Sequence, residues 1–104
     1  MNKADLKKAA KANQVNARHV PNDQTCRIVF DERHSERFAN RLIGTGKWRL
    51  TKFGNTTYWE SLDLALDAAK KMGSVYAFCG CAHKAPLLPF DKIDEATVKA
   101  NLIV

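Results

Sequence analysis

The stretch 47–60, KWRLTKFGNTTYWE, decides the reading of the chain. Two runs of alternating apolar and polar residues flank Gly54-Asn55. Gly suits the first position of a type II′ turn, so the stretch predicts a β-hairpin. A two-residue loop at Gly54-Asn55 sets Thr51 opposite Tyr58, Leu50 opposite Trp59 and Arg49 opposite Glu60. Trp48, Leu50 and Trp59 then share the buried face. Lys47, Arg49, Thr51, Tyr58 and Glu60 share the other face, where Arg49 and Glu60 form an attractive pair.

On the C-terminal side, Ser61 reads as an N-cap. Leu62, Ala65, Leu66 and Ala69 follow at i, i+3, i+4 and i+7, with Met72 extending the stripe. Asp63 suits the start of this helix, Lys70 and Lys71 its end, and Gly73 its termination. Residues 75–81 read as a strand, 85–90 as an extended connection with Pro86 and Pro89, and 91–100 as a last short helix. The apolar tail Leu102-Ile103-Val104 must dock or seed self-association.

On the N-terminal side, Thr25–Phe30 reads as a strand with Cys26, Ile28 and Phe30 on one face and Arg27 on the other. Asp31 resembles an N-cap, and the pattern from there to Ile43 is helical. Phe38, Ala39, Leu42 and Ile43 form one face, Arg33, Arg37 and Arg41 the opposite one, and Gly44 is the terminator. Residues 3–12 predict a short helix with Lys3, Lys7 and Lys11 in a stripe, joined by Lys8. Its apolar face is thin, which makes 1–14 a basic N-terminal helix or arm that orders on a partner.

From residue 25 to 81 the elements run β-α-β-β-α-β. That order predicts an α+β domain over 25–104, of ferredoxin-like form. The sheet would be antiparallel, with the helices on one face, the other face open, and short helices at both termini. No apolar run approaches the ~20 residues that span a bilayer. With three cysteines, an odd number, a disulfide framework is not indicated, so the chain reads as cytoplasmic.

Charge supplies the functional signal. Residues 1–52 carry 12 Lys/Arg against 5 Asp/Glu, a net +7, and residues 53–104 carry 5 against 6, a net −1. A field localised in this way points to a polyanionic partner. Arg33, Arg37 and Arg41 recur about every 6 Å along a helix, close to the spacing of successive phosphates. Lys47 and Arg49 stand beside Tyr58 on the outward sheet face, where cations track phosphates and a ring stacks on a base. Lys7 and Lys11 add an electrostatic tether. The chain therefore reads as a small non-enzymatic accessory protein that binds DNA or RNA through phosphates with little base specificity. The alternative is a protein-interaction module or inhibitor, of the kind phages and mobile elements encode, whose basic face docks on an acidic protein.

Other motifs fall short. Gly44-Thr45-Gly46-Lys47 resembles a phosphate-loop fragment, but Arg41 and Trp48 stand where that loop needs Gly and Ser/Thr. Cys26, Cys79, Cys81 and His83 are the candidates for a metal site. The single residue between Cys79 and Cys81 is too tight for a zinc knuckle, so no metal or other cofactor is expected. No nucleophile–base or paired-carboxylate motif is present to suggest catalysis.

Overall fold

The structure, a computed structural model, describes residues 2–32, 46–82 and 84–101. The helix expected over 31–43, with Arg33, Arg37 and Arg41, lies almost wholly outside the described residues. So do Gly44, Thr45, His83 and the tail 102–104.

The hairpin forms, with β2 at Trp48–Lys52 and β3 at Asn55–Trp59, following β1 at Thr25–Phe30. Its turn is one residue earlier than expected. Phe53 (φ +52°) and Gly54 (φ +80°) are the two loop residues. Both φ values are positive, as a type I′ turn requires, and Lys52 pairs with Asn55. The register moves by two: Trp48 faces Trp59, Arg49 faces Tyr58 and Leu50 faces Thr57. Side chains alternate with period two, so this shift preserves both faces. Arg49 and Glu60 are no longer opposed.

β1 packs beside β2 in antiparallel register, with Phe30 opposite Trp48 and Ile28 opposite Leu50. The Phe30 and Trp48 rings lie 4.8 Å apart and tilted, and Asp31 N–H extends the ladder to Lys47 C=O at 2.7 Å. Helix α2 spans Leu62–Lys71, with the Ser61 hydroxyl accepting Leu64 N–H at 3.2 Å and Leu62, Ala65, Leu66 and Ala69 buried. Met72 caps its end and is exposed rather than part of the stripe. The chain then enters β4 at Tyr76–Cys79, which runs parallel to β1. Within the stretch 85–90, expected as an extended connection, Leu87–Pro89 forms an antiparallel edge strand, β5, with Pro86 just before it and Pro89 as its last residue. Proline is tolerated at such an edge because no outer partner needs its N–H.

The α+β class holds, but the strand order β3-β2-β1-β4-β5 corrects the ferredoxin-like expectation. That topology places the second hairpin strand beside β1 in an antiparallel sheet. Here the first hairpin strand takes the place, and the sheet is mixed. The pairing follows side-chain fit: Trp48 and Leu50 match Phe30 and Ile28, whereas Thr56 and Thr57 suit the edge.

Helix α1, Lys3–Asn13, is capped by the Asn2 side chain accepting Asp5 N–H. Helix α3, Glu95–Ala100, is capped in the same way by Asp94 accepting Thr97 N–H at 2.7 Å. The core joins Ala10 of α1, Leu62 and Leu66 of α2 and Val98 of α3 to Ile28, Leu50, Ala77 and Leu88 of the sheet, so the three helices cover one face. The other face is not bare: Val29 and Leu87 are buried there. Among the described residues, no helix is long and apolar enough to cross a membrane.

Candidate nucleic-acid interface

The lysines of α1 are held on a fixed support. Ala10 is buried in the core and the helix packs along α3. Lys3, Lys7, Lys8 and Lys11 are all exposed, with Asp5 the one acid in the helix. Lys3, Lys7 and Lys11 are spaced at i, i+4 and i+8, about 6 Å apart along the axis. Held in this way, the helix presents cations in a row without aromatic neighbours in its own sequence.

The sheet-face candidates behave differently. Lys47 is exposed, but Arg49 and Tyr58, adjacent across β2 and β3, both turn to Asp31. The Tyr58 hydroxyl donates to Asp31 Oδ2 at 3.1 Å, and Arg49 Nη1 lies 3.8 Å from the same oxygen. Burial, followed by the hydrogen bond to the Asp31 carboxylate, raises the Tyr58 pKa. Asp31 thus draws on the charge of Arg49 and the polar tip of Tyr58. Arg49 and Tyr58 also project from the sheet face opposite the helical layer that contains α1. Lys7 and Lys11 are therefore not brought together with Arg49 and Tyr58 on one face.

Arg27, on the same face as Arg49, is committed to structure. Its Nη1 donates to the carbonyls of Gly80 (2.7 Å) and Ala82 (2.9 Å), and its guanidinium stacks on Phe78 at 4.9 Å. Gly46 has a packing role: a Cβ there would lie 1.9 Å from the Trp59 carbonyl oxygen. Only glycine lets the chain pass so close.

The cysteines are distributed between core and surface. Cys26 and Cys79 are buried and free, and Cys81 is free and exposed. Burial raises the Cys26 pKa to about 11 and the Cys79 pKa to about 12, so both thiols are protonated at neutral pH. No group of three or more His, Cys, Asp or Glu able to hold a metal ion occurs among the described residues.

Lys52 is the residue that sequence reasoning passed over. It is 5% exposed at the end of β2, on the core face with Trp48 and Leu50. Its Nζ donates to the Asp23 carbonyl at 2.6 Å and to Ser74 Oγ at 2.5 Å, and lies 5.1 Å from the Phe53 ring. Ser74 is 1% exposed and sits beside the Cys26 thiol, just beyond the C-terminus of α2. The partial negative charge of that helix end favours the ammonium. The period-two alternation through Trp48, Leu50 and Lys52 carried the signal that this lysine faces inward.

Comparison with protein-family models, with curated proteins and with solved structures finds no match for the chain.

Proposed function

We propose that the protein is a non-enzymatic accessory factor that binds nucleic acid through its phosphates, with the lysine face of α1 as the principal contact. The observation that supports this reading is the placement of Lys3, Lys7, Lys8 and Lys11 in the open on a helix that Ala10 anchors to the core. The net +7 of residues 1–52 adds a field around that face, and Arg33, Arg37 and Arg41 belong to the same charged half. Phosphate contacts give affinity and register without sequence information, so little base specificity is expected. Tyr58, hydrogen-bonded to Asp31, contributes less stacking than an unengaged ring would.

The test is a fluorescence-anisotropy titration of labelled duplex DNA, single-stranded DNA and RNA at several salt concentrations. Four phosphate contacts on a duplex give a slope of about −3.6 in log K against log salt, or roughly a 150-fold loss of affinity from ~50 to ~200 mM. Absence of binding to all three ligands at low salt would refute the reading. One stoichiometric protein partner surviving nuclease treatment in a pull-down would then assign the basic face to an acidic protein surface.

A further inference from the structure

A cleft of about 420 Å³ opens where the chain leaves α1 and meets the edge of the sheet. Phe78, Ala85 and Leu87 form its apolar floor, and Gln14, Asn16 and Ala17 form the wall across from them. Register explains the floor. Arg27, Phe78 and Leu87 are direct partners across β1, β4 and β5, so they share the face opposite the helical layer. Phe78 is half-buried, and the Arg27 guanidinium stacked on its ring at 4.9 Å holds it in place. The wall is fixed as well: Val15 N–H donates to the Leu87 carbonyl at 2.8 Å, tying the segment to the edge strand β5.

This wall carries unused polar groups. Asn16 Oδ1 accepts Arg18 N–H at 3.0 Å, which orients the amide and leaves Nδ2 as a donor. The Gln14 side-chain amide, both donor and acceptor, has no partner among the described residues. Charge around the cleft is of one sign in sequence. Residues 6–22 contain Lys7, Lys8, Lys11 and Arg18 and no Asp or Glu, and residues 68–90 contain Lys70, Lys71 and Lys84 and again no acid. Gln14 is the C-cap of α1 and stands seven residues after Lys7 and three after Lys11, so the lysine row leads to the cleft.

An aromatic floor, unengaged amides and cations on the flanking segments match a nucleobase still attached to its phosphates. The ring stacks on the base, the amides meet its edge, and the cations follow the backbone. We propose that this cleft takes one unstacked base of a single-stranded nucleic acid whose phosphates run along the α1 lysines. A base paired within a duplex must first leave its stack to enter, so the cleft favours single strands. Stacking accepts every base, in keeping with little base specificity. The proposal rests on the nucleic-acid reading of α1 and adds to it the form of the strand.

The experiment compares, by fluorescence anisotropy on the full chain, a short single-stranded DNA with an abasic strand of the same length and charge. The abasic strand is expected to bind about tenfold more weakly, the share of one stacked base. Phe78→Leu keeps an apolar side chain and removes the ring, and Ala17→Leu, at an exposed position, narrows the cleft. Each is expected to remove most of that difference and to leave duplex binding unchanged. Equal affinity of the wild-type chain for the two strands, with the salt dependence intact, would overturn the cleft alone. So would a difference retained in full by the folded variants. Absence of binding to either strand at low salt would refute the nucleic-acid reading, and the cleft assignment with it.

Discussion

Replacing Lys52 by Met isolates what a buried ammonium contributes to this fold. The substitution keeps most of the apolar stem and removes the charge. It eliminates the hydrogen bonds to the Asp23 carbonyl and to Ser74 Oγ. Each bond from a charged donor contributes about 1.5–3 kcal/mol. Part of that loss is offset, because an ammonium no longer has to leave water on folding. Asp23 is an exposed residue whose carbonyl can regain water, and Ser74 retains the Cys26 thiol beside it. The expected net cost is about 2 kcal/mol, or a Tm lowered by roughly 8–16 °C for a domain of this size. Urea unfolding followed through Trp48 and Trp59, both packed in or against the core, measures it. A double-mutant cycle with Ser74→Ala is expected to show a coupling of about 1 kcal/mol. If Lys52→Met is neutral or stabilising, the clamp is replaceable by apolar packing and the reasoning fails.

Three further outcomes follow from the fold. Phe53→Asn is expected to raise stability by about 1 kcal/mol, because Asn tolerates positive φ; a lower urea midpoint would contradict the type I′ assignment. Gly46→Ala is expected to cost about 3 kcal/mol or more, since its methyl would overlap the Trp59 carbonyl; retention of the wild-type Tm would refute that approach. The raised thiol pKa values of Cys26 and Cys79 exceed those of the unfolded chain. Their contribution to stability is therefore fully present below about pH 9. It declines as pH rises toward about 11 and 12, because the unfolded thiols ionise first. Unfolding curves between pH 8 and pH 11 are expected to show less decline in a Cys26→Ala, Cys79→Ala variant, while in the native wild type Cys81 alone of the three reacts fast with a thiol reagent.

Much of this architecture was legible from local pattern. Alternation placed Trp48, Leu50 and Trp59 on the core face, and that survived a turn assigned one residue late because the register moved by an even number. The Ser61 cap and the Leu62-Ala65-Leu66-Ala69 stripe located α2. Strand order was not legible. Both hairpin strands carry a tryptophan and neither pattern names its neighbour; Phe30 against Trp48 decides it only once the chain is folded. β5 was hidden by Pro86 and Pro89, which argue against a strand unless it lies at an edge. At the candidate interface, the α1 lysines could be read directly from their spacing. The diversion of Arg49 and Tyr58 to Asp31 could not, because the three residues are separated in sequence and meet only across the sheet.

The central claim, phosphate binding through α1, is tested most directly by the salt dependence of duplex DNA binding for wild type and for Lys7→Glu with Lys11→Glu. Both positions are exposed, so the fold is expected to persist. The account predicts weaker binding on every sequence tested and a slope shallower by about 1.8, the share of two phosphate contacts. Unchanged affinity and slope in a correctly folded variant would contradict it.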